Sequence, residues 1–155
     1  MTRKEAIHII SESFDGNPAI VFSVGKGLGY RFRKWHLAAF VYDFCNRREG
    51  AHVSSNGKGI ICYYHSEKKI PLWINLWDEL CVGLLAIGPW RLLRVLKRSR
   101  KVKAAQAPFG PHLHCWYFGV LDGYRDFSAS AELKNRLYVD SQRFNVPVLA
   151  ETTIL

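Results

Sequence analysis

The C-terminal third of the chain constrains the fold most. Residues 113–121 are rich in aromatic and branched apolar side chains, the pattern of a strand buried on both faces. Asp122, Gly123 and Tyr124 follow as a turn, and Asp126 or Ser128 is placed to cap a helix that runs to about Phe144, where Asn145 ends it. Residues 147–151 read as a second buried strand. Strand, turn, helix and strand in this order form a βαβ unit, which pairs its strands in parallel and needs helices over the sheet. An α/β domain is therefore expected.

The upstream sequence supplies the covering helices. Thr2 and Glu5 have the spacing of a capping box, and Ala6, Ile9, Ile10 and Phe14 recur at helical intervals. Pro18 stops this helix, and residues 19–24 are a short apolar stretch with the start of a further helical turn. Gly25, Gly27 and Gly29 read as a turn without dinucleotide-loop spacing. Residues 30–48 are a second helix with Trp35, Ala38, Ala39, Tyr42 and Cys45 on its apolar face, ended by Glu49 and Gly50. Residues 51–54 and 59–65 flank Asn56-Gly57, a hairpin signal.

Charge is concentrated in one segment. The net charge is +9, and a basic balance of this size points to an anionic partner. Residues 72–85 form a Leu- and Trp-rich helix, Gly88-Pro89 breaks it, and residues 90–103 form a basic amphipathic helix. Arg91, Arg94, Lys97, Arg98, Arg100, Lys101 and Lys103 carry seven positive charges with no acid among them, opposite Leu92, Leu93, Val95, Leu96 and Val102. Without them the net charge falls to +2. Such a helix serves as a solvated face, attracts an anionic ligand, or touches a membrane surface or nucleic acid. Its confinement to one insertion argues against a whole-surface nucleic-acid footprint.

With 155 residues the chain has the size of one domain. Cys45, Cys62, Cys81 and Cys115 contain no C-x-x-C pair, which leaves zinc-knuckle and thioredoxin-type sites unsupported. The polar N-terminus is not a signal-peptide core, so a reducing cytoplasm and four free thiols are expected. The longest charge-free apolar stretch, 80–90, is about half of the ~20 residues needed to span a bilayer.

Three phrases carry a resemblance to a known family. They are Trp116-Tyr-Phe-Gly-Val-Leu-Asp-Gly-Tyr-Arg125, Val146-Pro-Val-Leu-Ala-Glu-Thr-Thr153 and Glu12-Ser-Phe-Asp-Gly-Asn-Pro18. Together with the hairpin and the basic helical insertion at about 72–106, they resemble the GNAT family of N-acetyltransferases over nearly the whole chain. The resemblance implies a mixed central sheet flanked by helices and transfer of an acetyl group from acetyl-CoA to a primary amine. It implies coenzyme pyrophosphate at the loop and helix start formed by Arg125, Asp126, Phe127, Ser128, Ala129 and Ser130, where backbone N–H groups and the helix dipole favour phosphate. It also implies pantetheine contacts to the main chain at about Phe118, Val120 and Leu121. Ser128 and Ser130 stand where the family pattern has glycine, and the family's C-terminal helix and last two strands have no counterpart before Leu155. A truncated domain with an exposed sheet edge, prone to self-association, is expected on that basis.

Candidate catalytic groups follow from position. His114, with His112 on the same strand face, has the chemistry of a general base near neutral pH, or of a strand-edge histidine with ordinary hydrogen bonds. Glu151 lies where the family's two parallel strands splay to admit the acetyl group; a buried carboxylate there has a raised pKa and accepts the amine's proton, or else pairs with a neighbouring turn. Arg125 is a phosphate contact or a solvated arginine. Tyr63, Tyr64, Trp73 and Trp77 line an acceptor pocket or belong to the core. His112, His114 and Cys115 do not make a metal site, because Cys115 alternates to the other face. The rival functions are a non-catalytic acetyltransferase-like binding protein and an anionic-surface binder acting through the basic helix.

Overall fold

Thr2 opens helix α1 (Arg3–Ser13) with the expected capping box: its hydroxyl accepts from Glu5 N, and the Glu5 carboxylate accepts from Thr2 N at 2.7 Å. Asn17 caps α2 (Pro18–Val24), whose proline sits in the first turn where no N–H is needed. Helix α3 (Tyr30–Asn46) follows the glycine turn. The computed structural model describes residues 2–122 and 127–151 of the chain.

The buried face of α3 consists of Lys34, Leu37, Ala38, Val41 and Cys45, so the helix is rotated from the face marked by Trp35, Ala39 and Tyr42, which are only half-buried. Lys34 explains the rotation: its ammonium pairs with Glu12 at 3.3 Å and Asp15 at 3.0 Å, turning a charged residue inward. The chain reverses after α3 at Glu49, with φ of 61°, rather than at Gly50. Gly50 serves a different purpose. A Cβ there would lie 1.8 Å from the Tyr63 carbonyl oxygen, and Gly50 O accepts from Tyr63 N at 2.8 Å.

Strands β1 (Ala51–Val53) and β2 (Gly59–His65) form the hairpin, with Asn56 Oδ1 accepting from Lys58 N and Gly57 at φ 68°. The insertion is α4 (Leu72–Val82), a π-helical turn (Gly83–Ile87), α5 (Pro89–Gln106) and a short 3-10 turn (Ala107–Phe109). Strand β3 (Leu113–Val120), α6 (Phe127–Phe144) and β4 (Val148–Ala150) are the βαβ unit.

The four strands lie in the order β1-β2-β3-β4, antiparallel except for the parallel β3–β4 pair. The result is a mixed α/β fold with helices on both faces of the sheet. One face, with Ile60, Cys62, Trp116 and Tyr117, packs on α1, α2 and α3. The other, with Ile61, Tyr63, Leu113, Cys115 and Phe118, packs on Leu133 and Leu137 of α6. Strand β4 is exposed at Val148 and Ala150, not buried as its composition suggests, because nothing described covers its outer side.

Register breaks once. Cys62 opposes Tyr117 while Tyr63 opposes Cys115, leaving Trp116 as an extra residue in β3. This bulge puts Trp116 and Tyr117 on the same side and moves every later residue of β3 to the face opposite the one simple alternation predicts.

Candidate functional site

The parallel pairing of β3 and β4 is short: Leu113, His114 and Cys115 oppose Val148, Leu149 and Ala150. From Trp116 onward β3 pairs only with β2 among the described residues. We call this end of the described β3–β4 pairing the fork: His114 is the last but one paired residue of β3, and Glu151 follows the last paired residue of β4. His114 Nε2 lies 3.7 Å from Glu151 Oε1. That exceeds hydrogen-bond reach.

His114 is held rigidly. It is 3% exposed, its ring stacks on Tyr64 with centroids 5.0 Å apart, and its Nδ1 lies 2.6 Å from Gln106 Nε2. With the amide donating to Nδ1, the ring proton sits on Nε2 and faces Glu151. Burial, with the neighbouring His112 adding to it, pushes His114 down to about 4. It is neutral near pH 7, the form that can accept a proton, and burial makes it a weaker base than an ordinary histidine. His112 is itself buried and its Nδ1 contacts Gly110 O at 2.7 Å.

Glu151 is not the buried carboxylate expected from its strand. Its side chain is 31% exposed, and Arg98 of α5 donates to Oε2 at 3.4 Å. Arg98 also lies over the Phe22 ring at 5.7 Å. Around the fork stand the aromatics Tyr64, Trp116, Phe44 and Phe40, meeting edge to face at 5.2 to 6.1 Å. Burial pushes the Tyr64 hydroxyl up to about 12. Burial also raises Tyr117 strongly, with Cys62 and then Glu151 adding to it and Arg98 opposing. Both phenols stay protonated at neutral pH.

Three members of this group were not expected at this site: Arg98, marked only as part of the basic helix, Gln106 and Tyr117. A usable signal existed for the first two: Leu92, Val95, Arg98, Val102 and Gln106 follow one helical stripe. That stripe faces inward, while Leu93 and Leu96 face outward with most of the cations. Tyr117 reaches this face only through the bulge.

The remaining candidates are placed as follows. Phe118 packs toward α6 with Lys134 Nζ 5.9 Å from its ring, and Val120 lies against Gly59 on the same side. Leu121 N donates to Lys58 O at 2.9 Å. Arg125 and Asp126 lie outside the described residues. Phe127 opens α6, Ser128 is exposed, Ala129 is buried and Ser130 is half-buried. Tyr63 is a core residue whose hydroxyl donates to the Asp140 carboxylate. Trp73 and Trp77 are neither core nor pocket lining, at 72% and 65% exposed. A groove of about 660 Å³ is lined by Asp15, Gly16 and residues 26–31, and one of about 360 Å³ by His52, Glu132 and Arg136 among others; neither includes His114 or Glu151.

No family model matches the chain, and no curated protein matches it either.

Proposed function

We propose that this chain is an acetyl-CoA-dependent N-acetyltransferase of the GNAT type, acting on a primary amine. One observation carries the reading: His114 of β3 and Glu151, next after β4, meet across 3.7 Å at the end of the described β3–β4 pairing. A proton-accepting carboxylate is needed there if an ammonium substrate is to become a nucleophile.

The described residues fit the coenzyme at two places. Among the described residues the main chain of β3 beyond Cys115 has no β4 partner, and the resemblance implies an extended pantetheine along it. The first turn of α6, where Ser128 is exposed, is a helix N-terminus whose dipole favours phosphate. When bound, acetyl-CoA supplies an activated acetyl group as its thioester. Glu151 takes the proton from the amine, and Arg98, bound to Oε2, leaves Oε1 free for it. His114 is a positioning residue, uncharged and locked by Gln106 and Tyr64, and it limits the swing of the carboxylate. Main-chain donors of β3 are suited to the oxyanion.

Calorimetry with acetyl-CoA, followed by thiol release across a panel of primary amines, tests this. Saturable binding is expected, with Glu151→Gln lowering turnover by about 10²-fold or more at unchanged acetyl-CoA affinity. An absence of heat at millimolar ligand overturns the proposal. A second reading, a non-catalytic binding module of the same type, is favoured by Ser128 and Ser130 standing where the family pattern has glycine. Binding without thiol release from any amine selects it.

A further inference from the structure

Helices α4 and α5 turn an apolar surface outward. Trp73, Trp77, Leu80 and Leu84 repeat at intervals of four, three and four, which makes one continuous stripe on the solvent side of α4 and the π-helical turn. All four are more than half exposed, and so, past Gly88, are Trp90 at 92% and Leu93 at 77%. Three of the chain's five tryptophans lie here. Isolated exposed leucines are ordinary, but a stripe of this length on one segment marks an interaction surface. Helix α5 has no fully buried residue, so its packing does not explain its composition.

Charge identifies the occupant. Arg94, Lys97, Arg100, Lys101 and Lys103 are exposed on α5 beside Trp90 and Leu93, and none forms an ion pair among the described residues. Segment 72–106 holds seven cations against two acids, Asp78 and Glu79, and Asp78 is already paired with Arg47. A second copy of the same face would bring like charges together. A nucleic acid would satisfy the cations but leave the leucine stripe in water. An anionic bilayer surface satisfies both, with tryptophan at headgroup depth, leucine in the acyl boundary and Lys and Arg on the lipid phosphates. No described helix is long and apolar enough to cross a membrane, so this segment would lie in the plane of the interface.

We infer that the α4–α5 face is a peripheral docking surface for anionic lipid bilayers. This does not rest on the acetyltransferase reading. Co-sedimentation of the full chain with vesicles of phosphatidylcholine alone, or with phosphatidylglycerol added, tests it, together with tryptophan emission. Strong partition on the anionic vesicles is expected, with a blue-shifted emission quenched by brominated lipid and a loss of binding in high salt. Arg94→Gln, Lys97→Gln and Lys101→Gln should each weaken binding about fivefold on anionic vesicles. Trp73→Ser and Trp77→Ser should each weaken it at least about tenfold. These residues are exposed, and circular dichroism confirms that the variants fold. Three outcomes overturn the inference: no partition on either vesicle, binding to duplex DNA with unshifted tryptophan emission in place of vesicle binding, or a concentration-dependent dimer that buries the tryptophans and ignores vesicles.

Discussion

Acidification should destabilise this protein through His114 before its carboxylates protonate. In the folded chain the ring is 3% exposed and is held at about 4, against an ordinary 6.5. Above about pH 6.5 both folded and unfolded chains carry it neutral, and it adds no pH dependence. Between about pH 6.5 and 4 the unfolded chain binds a proton that the folded chain refuses. Stability therefore falls as pH falls, by at most about 1.4 kcal/mol per pH unit and about 3 kcal/mol in total. Below about pH 4 the effect levels off. Urea unfolding of the wild type and His114→Gln, run at intervals from about pH 7.5 to 4.5, isolates this contribution. His52, also held down by burial, and the paired carboxylates act equally in both proteins and cancel in the comparison. The wild type should lose about 2 to 3 kcal/mol more than the variant across that range. Parallel curves would refute the reasoning, as would a directly measured ring titration near 6.5 in the folded protein.

Three further outcomes are expected. Gly50→Ala forces a Cβ to within 1.8 Å of the Tyr63 carbonyl oxygen, and should lower stability by on the order of 3 kcal/mol or more in chemical denaturation; a loss below about 1 kcal/mol would mean that the hairpin is not held against α3 as described. Tyr63→Phe removes a donor from the buried Asp140, which among the described residues keeps the more distant Arg136 at 3.6 Å, and should cost about 1 to 3 kcal/mol. Cys45, Cys62 and Cys115 are buried, and burial pushes Cys115 up to about 11, while a hydrogen bond to Cys45 and then burial raise Cys62. In the native protein only the half-buried Cys81 should react quickly with a thiol reagent, and fast labelling of Cys62 would contradict the packing.

Local signals in the sequence were read well where they depend on few residues. The Thr2–Glu5 box, Pro18 as the stop of the first helix, Asn56-Gly57 and the break at Gly88-Pro89 each act within four positions, and each boundary falls close to where they put it. Long-range compensation was not legible. A wheel drawn for α3 cannot know that Glu12 and Asp15 will neutralise Lys34 and so permit its burial. The same limit hid Arg98: among seven cations, only its inward position and the meeting with Glu151 set it apart. The fork was partly legible, since His114 was marked from its place on the strand and Glu151 from the family resemblance. Its depth was not. The extra residue at Trp116 shifts the faces of β3 without any signature in composition, and the exposure of Glu151 depends on what packs beside β4.

Helix α5 has two sides with different duties. One row carries Arg98 to the fork and Gln106 to His114, and the other carries Arg94, Lys97 and Lys101 into solvent. A helix moves as a rod, so a displacement that suits one row is imposed on the other. With no fully buried residue to anchor it, α5 is among the elements most easily displaced. If the fork binds a ligand through Arg98, a surface that holds α5 better in the ligand-bound orientation raises the affinity of the fork for that ligand. By reciprocity, a ligand that orders Arg98 must change the grip on that surface by the same factor.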